Sequence, residues 1–137
     1  MVSQTEIKLS ARPKGFHLIT EEIIKSLPTF PSEGLLHLFI LHTSAGLAVN
    51  ENADPTVRSD LDKAFDVLAP EDQPFYRHTM EGPDDMPAHV KAIISGSSIS
   101  IPISKGKLNL GTWQGIYLCE FRDNGGPRNL VITAIGE

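Results

Sequence analysis

Between Gly34 and His42 the chain is almost wholly apolar: Leu35, Leu36, Leu38, Phe39, Ile40 and Leu41 are interrupted by His37 alone. The run is far shorter than the ~20 residues a helix needs to cross a bilayer. It reads as a strand buried on both faces, with His37 and His42 pointing to opposite sides. Such a strand needs neighbours, and the rest of the chain offers them. Thr5–Ser10 alternates, with Ile7 and Leu9 on one face, and Ala45–Asn50 forms a second short strand after the apolar run. Ser98–Ile103 places Ile99, Ile101 and Ile103 on one face, with Pro102 marking an edge or a strand end. Gly115–Arg122 is a further strand, and the turn signal Asn124-Gly125-Gly126-Pro127 joins it in a hairpin to Leu130–Ile135.

Helical signals lie between these strands. Phe16–Leu27 mixes a strand with a short helix, capped by Thr20 and ended by Pro28 and Pro31. Asp54-Pro55 is an N-cap acid followed by Pro at the first helical position. Val57, Leu61, Ala64, Phe65 and Leu68 then recur at helical spacing until Pro70. Gln73–Met86 is irregular and polar; Asp84 or Asp85 starts the second main helix, which closes near Gly96. Strands at both ends with two main helices between them argue for a mostly antiparallel α+β fold rather than a doubly wound sheet. A length of 137 residues fits one domain spanning 1–137.

Charge and composition narrow the function. A formal net charge of −5 without a Lys/Arg block gives no basic footprint, so no nucleic acid is expected as partner. No apolar run suits a membrane span, and Met1–Ser10 lacks the apolar core of a signal peptide. The single Cys119 allows no internal disulfide and fits a reducing, cytoplasmic compartment.

Three groups of residues could carry chemistry. The first is His42, His78 and His89, with Glu81, Asp84 and Asp85 inside the last interval. Imidazoles beside a carboxylate suit zinc or a similar divalent ion, although the spacing matches no specific metal motif. His17 and His37 read as structural or surface histidines. The second group is Asn50-Glu51-Asn52-Ala53-Asp54. Asp54 caps a helix and Asn52 suits the turn; Glu51 has no evident structural duty and is the acid/base candidate, beside the reading as a solvated turn. In the third, alternation puts Gln114, Glu120 and Arg122 on one face. Glu120 and Arg122 read either as an ion pair at a strand end or, through Arg122, as an anion site. Trp113 could be core or could stack on a ring. The chain has no Gly-x-Ser-x-Gly elbow, P-loop, Gly-x-Gly-x-x-Gly or Cys-x-x-Cys.

These residues carry a resemblance. Leu41-His42-Thr43-Ser44-Ala45-Gly46-Leu47, Asn50-Glu51-Asn52-Ala53-Asp54-Pro55, His78 with Glu81-Gly82-Pro83-Asp84-Asp85-Met86-Pro87-Ala88-His89, and Gly111-Thr112-Trp113-Gln114-Gly115-Ile116 are together similar to the YjbQ-like family. The resemblance covers nearly the whole chain and is weakest before Gly34. It implies an α+β fold with a β-sandwich-like core, usually assembled as a homotrimer, in which the site could lie between subunits. It also implies a secondary thiamine-phosphate synthase activity that joins a pyrimidine diphosphate to a thiazole phosphate and releases diphosphate. Carried over, it implies a divalent metal ion, zinc or magnesium, at His42, His78 and His89, with Glu51, Asn52 and Gln114 nearby. Arg122, Arg77 and the ion could offset diphosphate charge, and Trp113 or Tyr76 could hold a flat ring. The partner expected is a small phosphorylated molecule. Two other readings stay open: a non-enzymatic trimer that binds metal or a small ligand, and a metal-dependent hydrolase with Glu51 as base.

Overall fold

A computed structural model describes every residue from Met1 to Glu137. The elements run β1 (Val2–Leu9), β2 (Gly15–Leu18), α1 (Thr20–Ser26), β3 (Glu33–Ile40), β4 (Ala45–Glu51), α2 (Pro55–Leu68), α3 (Asp85–Ser95), β5 (Ser98–Ser104), β6 (Lys107–Leu108), β7 (Gln114–Glu120) and β8 (Arg128–Gly136). They form two sheets, one ordered β1-β8-β3-β5-β6 and the other β2-β7-β4. Every strand pairing is antiparallel. No helix is long and apolar enough to cross a membrane.

The two sheets face each other across the main core. Leu36, Leu38 and Ile40 of β3, with Leu130 and Ile132 of β8, meet Leu47, Ile116 and Leu118 of the smaller sheet. Each such side chain contributes about 1.5–3 kcal/mol relative to remaining in water. A second core lies on the opposite face of the smaller sheet, where Phe16, Tyr117, Cys119 and Phe121 receive Phe65 of α2 and Ala88 of α3. Phe65 stacks on Phe121 at 5.6 Å, and Phe16 meets Phe65 edge-on at 5.2 Å. The layers are therefore large sheet, small sheet, helices.

The expected α+β class and the two main helices are present. Asp54 caps α2, accepting from the Thr56 amide at 2.9 Å with Pro55 behind it. Several local expectations are corrected. The apolar run is not buried on both faces: β3 alternates, with Leu35 and Phe39 exposed, because no layer covers the outer face of the large sheet. Leu130–Ile135 does not form a hairpin with the strand before it. Both hydrogen-bonding edges of β7 are taken by β2 and β4, so the chain crosses after Glu120 and β8 inserts between β1 and β3. Thr20 does not cap α1; its hydroxyl instead accepts from the Ile116 amide at 2.9 Å.

Close packing sets the site's position. A Cβ on Gly46 would fall 1.9 Å from the Ser95 hydroxyl and 2.8 Å from the Gly96 carbonyl. Only glycine therefore lets the end of α3 lie against β4, where the Leu47 amide donates to that carbonyl. Lys91 of α3, buried, reaches Asp66 of α2, which also pairs with Lys14. The two helices are thereby tied together over the small sheet.

Candidate metal centre

The β4–β7 ladder has two chemically different ends. Its register runs from Ala45 opposite Glu120 to Glu51 opposite Gln114. Six residue steps at ~3.3 Å separate those ends by about 20 Å. The candidate residues divide between them, with Glu51, Asn52 and Gln114 at one end and His42, His78, His89 and Arg122 at the other.

The histidine end is built on the first turn of α3. Asp85 and His89 stand four residues apart and so share one face of the helix. Asp85 is 2% exposed. Its Oδ1 accepts from Arg122 Nη1 at 2.7 Å. Its Oδ2 lies 2.6 Å from His78 Nε2 and 3.1 Å from His89 Nε2. His78 comes from the irregular segment before α3, and its Nε2 is also 3.3 Å from Glu81 Oε2. Asp84 accepts from Arg122 Nε and from the Asp123 amide, both at 2.9 Å, while Arg122 Nη2 donates to the Glu81 carbonyl. Gly82, at φ +104, provides the turn that a side chain would strain. Burial pushes the Asp85 carboxyl up, but the hydrogen bond with His78 and the charges of His89 and Arg122 outweigh it and leave it at about 2.

One contact here carries chemical information. His89 Nδ1 lies 2.8 Å from the Thr43 carbonyl oxygen, which can only accept. The proton is therefore on Nδ1, and in neutral His89 the Nε2 lone pair is bare. That lone pair faces the Asp85 carboxylate, an acceptor opposite an acceptor. The contact becomes favourable only with a second proton or a cation between them. The ligand atoms of His78, Asp85 and His89 all lie within 4.8 Å of one another. Tetrahedral zinc holds ligands at about 2.0–2.2 Å, hence about 3.3 Å apart, so modest side-chain motion accommodates an ion. Two imidazole nitrogens and one carboxylate favour zinc over magnesium, which prefers oxygen. A carbonyl that fixes the tautomer of a ligating histidine, and an Arg that holds the ligating carboxylate, are the supports such sites require.

His42 lies outside this cluster of ligand atoms. Its Nε2 accepts from the Asn129 amide at 2.8 Å. It shares instead a groove of about 430 Å³ with Thr43, His89, Ile93 and Ser97. Three consecutive residues are tethered in this corner: His42 to Asn129, the Thr43 carbonyl to His89, and Ser44 to Arg128. Arg128 is buried and pairs with the fully buried Glu120. The expected Glu120–Arg122 side-chain pair is thus replaced by two separate ion pairs. Arg122 leaves the β7 face once the strand ends, and all its charged hydrogen bonds go to Asp84 and Asp85 rather than to an open anion site.

At the far end the side chains of Glu51, Asn52 and Gln114 each bond turn backbone. Glu51 Oε2 accepts from the Ala53 amide, so the residue has the structural duty that its sequence context did not suggest. Asn52 Nδ2 donates to the Thr112 and Gln114 carbonyls, and Gln114 Oε1 accepts from the Gly111 amide. Asn52 and Gln114 line a shallow cavity of about 300 Å³ with Thr20 and Glu22. Trp113 is exposed rather than part of the core. Tyr76 lines a small cavity beside His78. His17 bonds the Pro13 carbonyl, a local structural role. Cys119 is buried, and burial pushes its thiol up to about 12, which removes it as a nucleophile. Sequence reasoning named Asp85 only as one of three acids near the histidines, without singling it out as a ligand, and left out Arg128. Asp85 carried a signal in its four-residue spacing to His89; Arg128 carried none.

Comparison with known proteins places this geometry in a family. The model of the family described as UPF0047 protein YjbQ-like matches residues 5–137. The UPF0047 protein YjbQ of Salmonella typhimurium is 52% identical over 136 residues, covering 98% of both chains. YugU of Bacillus subtilis is 38% identical, covering 93% of this chain and 92% of its own. Among solved structures, the conserved hypothetical protein TT1486 of Thermus thermophilus superposes with a TM-score of 0.83 at 34% identity, covering 96% of this chain and 99% of its own. A YbjQ-like protein of unknown function from Sulfolobus solfataricus shares the fold at a TM-score of 0.85 over 100% of this chain and 99% of its own, with 23% identity.

Proposed function

The chain belongs to the UPF0047 YjbQ-like family, and from that premise we propose that it is a metal-assisted enzyme acting on a small phosphorylated molecule, with His78, Asp85 and His89 as the metal ligands. The observation that carries this reading is the convergence of two imidazole nitrogens on one buried carboxylate oxygen, with the His89 tautomer set by the Thr43 carbonyl. A divalent ion held by these three residues would supply positive charge to a departing phosphate or diphosphate. The chain's own groups do the rest. Thr43 orients His89, and Arg122 holds Asp85 in place. The groove beside His89, walled by Ala92 and Ile93, offers an apolar surface for a ring.

The reaction assigned first is the condensation of a pyrimidine diphosphate with a thiazole phosphate. The thiazole nitrogen forms a bond to the pyrimidine's methylene carbon as the carbon–oxygen bond to diphosphate breaks. The family resemblance supports that reaction, and the apolar groove next to a cation site is compatible with it. Arg122 enters as a positioning residue, since its donors are already engaged by carboxylates. A homotrimer is part of the proposal, supported by the uncovered outer face of the large sheet where Leu35, Phe39 and Ile135 are exposed. Glu51, Asn52 and Gln114 enter this proposal only through the resemblance, since within the chain their side chains bond turn backbone. The buried, unpaired Cys119 supports a cytoplasmic location.

A hydrolase is the second reading, and one observation favours it. Glu81, exposed and 3.3 Å from His78 Nε2, is the carboxylate beside the histidines that is not assigned as a ligand, and so replaces Glu51 as the base for an attacking water. Zinc-loaded protein should form thiamine phosphate from the two phosphorylated halves, and His78→Ala should abolish both zinc binding and turnover. Hydrolysis of phosphate esters without condensation would transfer the assignment to the second reading. Binding of both halves without any turnover would leave a non-enzymatic ligand-binding protein.

A further inference from the structure

Two imidazoles line the groove, and backbone groups fix them in opposite senses. His89 donates from Nδ1 to the Thr43 carbonyl, so its Nε2 is bare when the ring is neutral. His42 does the reverse: its Nε2 accepts from the Asn129 amide at 2.8 Å, so a neutral His42 carries its proton on Nδ1. A backbone amide can only donate, and this assignment needs no assumption about pH. His42 Nδ1 makes no hydrogen bond within the chain, although the residue is half-buried and lines the groove. Protonating Nε2 would set N–H against N–H and forfeit the Asn129 bond. Burial also lowers the His42 pKa, with Arg128 acting in the same direction and Glu120 opposing. The ring is thus kept neutral while still able to donate one hydrogen bond.

We propose that His42 is the ligand-orienting donor of this groove: its Nδ1–H binds a phosphoryl oxygen of a ligand whose other oxygens reach the ion at His78, Asp85 and His89. The assignment rests on the metal-site reading and sharpens it, for it removes His42 from the ligand set and gives it a separate task. The division of labour follows from the two backbone groups. One corner, His42-Thr43-Ser44, presents a donor imidazole through Asn129 and an acceptor imidazole through Thr43. A phosphoryl group suits such a pair, since its several acceptor oxygens can meet a cation and a neutral N–H together.

Two amide substitutions separate the roles of the ring. In His42→Asn the side-chain amide nitrogen can occupy the place of Nδ1 and keep the donor. In His42→Gln the amide oxygen can occupy the place of Nε2 and keep the acceptor for Asn129. The experiment titrates zinc alone into each variant, then pyrophosphate into the zinc-loaded protein, by calorimetry, alongside thermal melts. Zinc affinity should match wild type in both variants and in His42→Ala. Pyrophosphate affinity should fall roughly 10–100-fold in His42→Ala and His42→Gln, the loss expected for a hydrogen bond to a charged group, and less than about threefold in His42→Asn. A purely structural His42 would give the opposite order, with Gln restoring both melting temperature and pyrophosphate binding. Zinc affinity that collapses in His42→Asn would return His42 to the ligand set and overturn the proposal. Long-range proton–nitrogen NMR of the wild type, which needs no metal, should show the Nδ1–H tautomer for His42; an Nε2–H tautomer overturns the proposal even if the zinc site stands. Wild type that binds no zinc while showing the Nδ1–H tautomer would refute the metal-site reading and, with it, the joint binding proposed for the groove.

Discussion

The two ends of the β4–β7 ladder look alike in sequence and differ in chemistry. Each gathers several polar side chains at the close of a strand. At the Glu51–Gln114 end, the side-chain groups of Glu51, Asn52 and Gln114 bond nearby backbone groups and stabilise two facing turns. At the Ala45–Glu120 end, backbone carbonyls, backbone amides and Arg122 are used to point imidazoles and a carboxylate at one another. The difference shows that polar density alone does not distinguish a site from a turn. What distinguishes them is whether the side chains serve the backbone or the backbone serves the side chains.

Substitutions at the two ends should therefore behave oppositely. The largest effect is expected from Asp85→Asn. Loss of the shared anionic ligand should lower zinc affinity by more than the roughly 10–100-fold that a supporting residue carries, as read by competition with a chelating dye. Arg122→Met should fall within that 10–100-fold range, because Asp85 remains but is no longer held. It should also destabilise the fold by about 1–3 kcal/mol in urea, since two partly or fully buried carboxylates lose their cation. Asn52→Ala at the far end should cost about 1–2 kcal/mol of stability for two lost hydrogen bonds and leave zinc affinity unchanged. A loss of zinc binding in Asn52→Ala would erase the distinction between the ends.

The smallest effect is in the acid limb of stability. Asp84 and Asp85 both lie below the ordinary carboxylate range: burial raises them, and hydrogen bonds from Arg122 at Asp84 and from His78 at Asp85, with the charge of Arg122, more than reverse that. A carboxyl whose folded value is depressed stabilises the fold above its unfolded value. That contribution fades as pH falls through the folded value, here from the ordinary range near 4 toward about 2 for Asp85. Chemical denaturation across that window should show a shallower acid slope in Asp85→Asn than in wild type. Asn52→Ala should lower the whole curve without changing its slope.

How much of this was legible beforehand depended on how local each determinant is. Asp54-Pro55 at the start of α2, Gly96 at the end of α3 and the alternation of Ile99, Ile101 and Ile103 are short-range signals, and each matches an element boundary or a burial pattern. The placement of β8 is not short-range. It depends on β7 having no free edge, a property of strands far away in sequence. The same holds for the site. His78 and His89 stand out by type and spacing. The ring state of His42 is set by Asn129, 87 residues distant, and Arg128 finds Glu120 only because the chain changes sheets between them. Glu51 was misread as free of structural duty because a carboxylate that bonds an amide two residues on looks, in sequence, like any solvated acid.

The proposed role of His78, Asp85 and His89 is to hold a divalent ion. Its most direct test is an anomalous-difference map at the zinc edge, from crystals of untagged protein equilibrated with zinc. One peak is expected, bonded to His78 Nε2, Asp85 Oδ2 and His89 Nε2 at about 2.0–2.2 Å. A peak bonded to His42, or no peak at these three residues at saturating zinc, would contradict it.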